Sequence, residues 1–305
     1  MEKLRKREDK VKPIAKQSNK KAAFTIVELL TVMSIIIILM GLLAPAMNRV
    51  RRFARRVSQK NQFHSIEVAL ELFRSEFDGY PDSGPLDGST PAGGVPYCGA
   101  MKLAEAMMGQ DLLGFHTDSR FRSDGTDGGA PLVPLYTPAT EKQRKEYIYL
   151  PLENANAYKL KDIYASPGNF EPERFVLCDV YTRTTSLTTG KRIGMPILYY
   201  KANTSLSLHD VTNENNPQNI YKYQDNDGLV LLGMPWNPGA AHPIASTGTT
   251  TENVAADPKI FYQNTWNEKI TTIIKPYRAD SFILMSAGFD GEYGTPDDVF
   301  NFERD

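Results

Sequence analysis

The chain has 305 residues, 35 lysines and arginines against 36 aspartates and glutamates, and a 41% hydrophobic content, enough for one large domain or two small ones. The near-zero net charge hides an asymmetry: residues 1–23 hold nine basic and three acidic side chains, which leaves 26 basic against 33 acidic elsewhere, a net of −7. A basic head, an apolar run and an acidic body argue against a nucleic-acid protein, whose bound face is basic. Two cysteines, Cys98 and Cys178, are too few for a disulfide-built scaffold or a four-cysteine metal site. One bridge outside the cytoplasm and two separately buried thiols are both open readings.

The first element is the apolar run of residues 24–47, which carries one acid, Glu28, and no further charge before Arg49. It is long enough to cross a bilayer, which takes about 20 apolar residues. An acid in such a run is costly and calls for a partner. A plain membrane anchor explains the run but leaves Glu28 unexplained. A secretory signal, with Ala44-Pro45-Ala46 as cleavage site, has too long a charged head and too long an apolar core.

The junction "KKAAFTIVELL" resembles the type IV prepilin and pseudopilin signature: a basic leader ending in a small residue, then Phe, Thr, Glu and a leucine-rich run. The resemblance implies cleavage between Ala23 and Phe24 by a prepilin peptidase, and N-methylation of Phe24. Alanine before the cut departs from the commoner glycine. Glu28 becomes the fifth mature residue. By the same resemblance it pairs with the α-amine of a neighbouring subunit and sets the register of filament assembly. Pro45 falls where many members of the family have a helix-loosening proline. The implied setting is the bacterial inner membrane, crossed once with the N-terminus inside. The implied partners are the peptidase, an inner-membrane assembly platform and other pseudopilins.

Apolar residues Val50, Phe53, Val57, Phe63, Ile66, Leu70, Phe73 and Phe77 continue the pattern at helical steps. One helix is therefore expected from Phe24 to Asp78, loosened at Pro45 and stopped by Gly79, with residues 48–80 its amphipathic continuation. The flank bears Arg49, Arg51, Arg52, Arg55, Arg56 and Lys60, with no acid before Glu67. Anionic headgroups, acidic neighbours in a filament and plain solvation are all compatible with these cations.

Residues 81–305 are expected to form an extracytoplasmic, β-rich domain, giving an α+β, pilin-like fold of a long helix on an antiparallel sheet. "GAMKLAEAMMGQDLLGF" reads as a short helix, and "DSRFRSDGTDGGAP" as a flexible loop. The runs "RFVLCDVY", "MPILYYKA", "GLVLLGM" and "DSFILMSAG" read as strands, and "YQDNDGLVLLG" as a hairpin turn. The compact members of the family are much shorter, so residues 90–270 are expected to include an elaboration.

The stretch "SAGFDGEYGTPDDVFNF", residues 286–302, gathers Asp290, Asp297 and Asp298 among glycines, the oxygen-rich composition that suits calcium. It is not an EF-hand, because the twelfth position from Asp290 is Asn301 where that loop needs glutamate. It resembles the C-terminal calcium loop of the major, G-type pseudopilin of type II secretion, which implies Ca²⁺ held by Asp290, Asp297 and Asp298. A solvated acidic turn is the alternative.

His116, His209 and His242 show no metal-ligand or catalytic spacing. The expectation is a non-enzymatic filament subunit of a type II secretion pseudopilus or type IV pilus-like fibre. The rival is a membrane-anchored binding or enzymatic domain using the same export signal.

Overall fold

The structure, a computed structural model, describes residues 25–87, 94–270 and 272–304. The expected processing site at Ala23 and Phe24 lies outside them. The chain divides into two units, Met1–Val50 and Arg51–Asp305.

Helix α1, Ile26–Phe77, is 52 residues long and stays helical through position 45. Its apolar half is the one element among the described residues long and apolar enough to cross a membrane. The helix ends one residue earlier than expected, because Asp78 adopts a left-handed φ of 56°, a conformation aspartate tolerates better than most residues.

Within the second unit the expected stripe divides in two. Phe63, Ile66, Leu70 and Phe73 are buried, while Phe53 is 70% and Val57 42% exposed. The buried part packs on Tyr199, Phe282, Leu284 and Val299. Those residues belong to a three-stranded antiparallel sheet of β5 (Leu198–Lys201), β6 (Phe282–Ser286) and β7 (Val299–Phe300), ordered β5-β6-β7. Pairing sets Tyr199 opposite Leu284 and Met285 opposite both Leu198 and Phe300.

Alternation along these strands explains the rest of the architecture. Leu198, Tyr200, Ile283, Met285 and Phe300 point to the other face, where they meet Val230, Ile244, Phe261 and Tyr262. Both faces are thus covered, which is why "FILMS" is buried at every position rather than alternating with polar residues. The long middle of the chain supplies that second cover.

That middle contains α2 (Gly99–Met108), three short turns α3 (Glu141–Arg144), α4 (Leu152–Ala155) and α5 (Leu160–Ile163), and helices α6 (Gln224–Val230) and α7 (Lys259–Thr265). Two antiparallel strand pairs accompany them, β1 (Ala157–Lys159) with β2 (Phe175–Leu177) and β3 (Thr184–Thr185) with β4 (Arg192–Ile193). The expected short helix and three of the four expected strands are present. The fourth, "GLVLLGM", is corrected: "QDNDGLV" forms α6, and so the expected hairpin turn there is a helix. A short apolar run does not by itself separate strand from buried helix. Here Asn226 decides. Its side-chain oxygen accepts the Ala100 amide at 2.9 Å and its side-chain nitrogen donates to the Tyr199 carbonyl at 2.7 Å, joining α6 to α2 and β5.

Candidate assembly helix and acidic loop

Glu28 sits in the first turn of α1. Its carboxylate accepts the Thr25 amide at 2.9 Å and the Thr25 hydroxyl at 2.8 Å, and the Thr25 hydroxyl oxygen accepts the Glu28 amide at 3.2 Å. This is a reciprocal capping box, which satisfies two amides that a helix N-terminus otherwise leaves open. The signal was present in the sequence as Thr-x-x-Glu, which the charge pattern alone does not reveal. The side chain is exposed, so nothing else within the described chain claims the carboxylate.

Beyond the apolar half, Arg51, Arg52, Arg55 and Arg56 are exposed. The Arg52 guanidinium lies 4.5 Å from the Phe289 ring centroid and that of Arg55 5.9 Å, while Arg55 also donates to the Tyr181 carbonyl at 3.2 Å. Farther along, Glu67 receives Arg278 at 2.5 Å and the side-chain nitrogen of Asn301 at 3.0 Å, and Lys60 pairs with Glu303. The acidic loop and the residues after it are therefore fastened to α1 on both sides of β7.

The loop turns through Gly288, Gly291 and Gly294, with φ of 66°, 77° and 99°. A Cβ on Gly288 would stand 2.4 Å from the Asp297 carbonyl oxygen, so only glycine fits there. The Asp297 carboxylate accepts the amides of Phe289 at 2.7 Å and Asp290 at 3.1 Å and the Thr295 hydroxyl at 2.6 Å. Asp290 accepts the Glu292 amide at 2.8 Å. Burial, then the hydrogen bond to Asp297, pushes the Asp290 carboxyl up to about 7. Burial also opposes ionisation of Asp297, but hydrogen bonds from Asp290, Thr295 and the two amides outweigh it and hold that carboxyl below its ordinary value. The pair behaves as two acids sharing one proton.

Asp298 turns inward. It is buried, one oxygen accepts the Gly294 amide at 2.8 Å, and the other has no hydrogen-bond partner. Burial raises its carboxyl well above the ordinary range, with Asp290 and Asp297 adding to the effect. Among the described residues no three His, Cys, Asp or Glu side chains converge on one metal position. The residue types present, a proton-sharing pair and a buried carboxylate with one oxygen lacking a hydrogen-bond partner, are those a hard cation takes. Asp290 and Glu292 also line an open cavity of about 430 Å³ together with Thr250, Thr251 and Glu252.

No family model, curated protein or solved structure matches this chain.

The remaining polar candidates are each held by neighbours. Nε2 of His209 lies 2.8 Å from the Tyr262 carbonyl, Nδ1 of His242 accepts the Tyr293 amide at 3.2 Å, and Nδ1 of His116 accepts the Asp118 amide at 3.2 Å. Cys98 and Cys178 are free and buried; burial pushes the Cys98 thiol up to about 11. Sequence reasoning missed Asp179. This buried acid accepts the Tyr181 amide at 3.1 Å, the Met195 amide at 3.2 Å and the Ser286 hydroxyl at 2.8 Å, and burial pushes its carboxyl up to about 7. Only its place between two apolar runs marked it in the sequence.

Proposed function

We propose that the chain is a structural subunit of a filament of the pseudopilin or type IV pilin kind, and not an enzyme. One observation carries the reading. A single helix joins a membrane-length apolar half, with Glu28 in its first turn, to an amphipathic half whose buried stripe packs on an antiparallel sheet. Such a helix serves twice, first as an anchor and then as the core of a fibre from which the sheet domain projects. The leader before Phe24 is removed on the cytoplasmic side by a prepilin peptidase, and the new α-amine of Phe24 is methylated. Glu28 of one subunit then meets the amine of the next; in a low-dielectric core that attraction is strong enough to fix register only when geometry is good. Other pseudopilins and an inner-membrane platform are the partners of this step. The acidic loop takes Ca²⁺ through Asp290 and Asp297, with Asp298 behind them, which neutralises its charge and ties the loop to the sheet.

Co-expression with a prepilin peptidase tests the reading. Protein extracted from membranes should begin at a methylated Phe24. A chain that keeps Met1, or one that begins at Met47, overturns the proposal in favour of an anchor or a secretory signal respectively.

A further inference from the structure

We propose that the second-unit start of α1, with Arg51, Arg52, Arg55 and Arg56, is a docking surface for anionic phospholipid headgroups. The inference rests on reading the apolar run as membrane-spanning, and it concerns the subunit before assembly. At ~1.5 Å per residue, residues 26–47 span about 33 Å, close to the ~30 Å hydrocarbon core of a bilayer. The four arginines follow within the next two to three turns, the depth of the headgroup layer once their long side chains are counted.

Three observations favour lipid over plain solvation. All four arginines are exposed, and no acid occurs between Glu28 and Glu67 to neutralise them. Among the described residues none of the four has a carboxylate within ion-pair distance: Glu303 is paired with Lys60 and feels Arg56 only at longer range. The cations also alternate with exposed apolar side chains, Phe53 at 70% and Val57 at 42%, with Phe289 at 40% exposed beneath Arg52. Interleaved arginine and apolar side chains suit a boundary that is anionic on one side and oily on the other. An acidic protein neighbour would satisfy the charges but not Phe53.

The test uses the full chain, uncleaved and unassembled, in nanodiscs of phosphatidylcholine and phosphatidylglycerol in equal parts. Native mass spectrometry then counts the lipids retained. Each arginine near an anionic surface strengthens binding about five-fold, so the wild type should retain phosphatidylglycerol preferentially, and the preference should fade at high salt. Replacing all four by glutamine should abolish it. Because Arg52 and Arg55 also hold Phe289, a second variant with only Arg51→Gln and Arg56→Gln keeps that contact and should weaken the preference about 25-fold, half of it on a logarithmic scale. Equal retention of the two lipids by the wild type overturns the proposal. So does a fully substituted variant that keeps its lipid preference, including one that fails to co-assemble with wild-type subunits, since its arginines would then serve a protein neighbour. Peptidase cleavage does not enter this readout, so failure of the filament reading and failure of this one are distinguishable.

Discussion

The guanidinium of Arg52 stacks 4.5 Å from the centroid of Phe289, so the acidic loop touches the exposed stretch of the helix two turns before its buried part begins at Gln59. A cation–π contact at such a site is worth ~0.5–1 kcal/mol, too little to hold the domain but enough to hold a loop. Phe289→Ala should lower the melting temperature by no more than about 3 °C while speeding hydrogen exchange at the amides of residues 288–291 several-fold. Unchanged exchange would show that the contact restrains nothing.

Glu28 caps its helix, and substitution can separate that role from the pairing proposed for it in a filament. Glutamine at the third helical position still completes a capping box with Thr25, so Glu28→Gln should keep the helix N-terminus intact while removing the charge. Thr25→Ala does the reverse, at a cost of ~1 kcal/mol to the helix. If assembly depends on pairing with a neighbour's amine, Glu28→Gln and Glu28→Ala should both be cleaved and inserted yet excluded from filaments, and Thr25→Ala should still enter them. Filament yield from Glu28→Gln equal to wild type would assign Glu28 to capping alone.

Calcium binding should appear as a shift in melting. At ten times its Kd the ion stabilises the folded state by about 1.4 kcal/mol, a few degrees for a domain of this size. The full chain in detergent should melt higher in millimolar Ca²⁺ than in chelator, with much less effect from Mg²⁺, which keeps its waters. The proton shared by Asp290 and Asp297 competes with the ion, so the increment should grow as pH rises through about 7. Asp297→Ala should remove it. Identical melting in calcium and chelator means an acidic turn and no metal.

Asp179 makes stability depend on pH in a specific direction. Its folded-state carboxyl, near 7 against an ordinary 3.8, takes up a proton more readily when folded. Its contribution is therefore full below about 4 and is lost as pH rises through about 7. The three units between them correspond to a loss on the order of 4 kcal/mol. His209 and His242, pushed down to about 4 by burial, act oppositely and lose stability as pH falls below 6.5. Asp179→Asn isolates the first effect: asparagine can accept both amides and donate to Ser286. The variant should melt several degrees above wild type at pH 8 and by a much smaller margin at pH 4.5. A constant difference across that range would mean that Asp179 stays ionised in the fold.

The long helix was legible because its signal is repeated: the buried stripe from Phe63 to Phe73 keeps its spacing over several turns. Strands "FVL", "LYYK" and "FILMS" were legible from their apolar, β-branched or aromatic content. Helix α6 was not, since the reason it is a helix is Asn226 reaching two backbone groups more than 25 residues away in sequence. Strand β7 was hidden inside the acidic loop, being two residues long and visible only by its pairing with β6. In that loop the composition marked three aspartates. Only the fold separates the proton-sharing pair, Asp290 and Asp297, from the inward-facing Asp298.

Strand β6 lies between β5 and β7 and is covered on both faces, yet it follows almost every residue that it organises. A ribosome makes β5, the middle of the chain and the amphipathic half of α1 long before it makes "FILMS". Until then the sheet has no centre, and neither cover has a surface to settle on. The domain therefore closes late and nearly at once. During that interval "FILMS" is a sticky, uncharged five-residue segment of the kind that seeds β-aggregation. Asp280, two residues upstream, and Asp290, four downstream, flank it as gatekeeping charges.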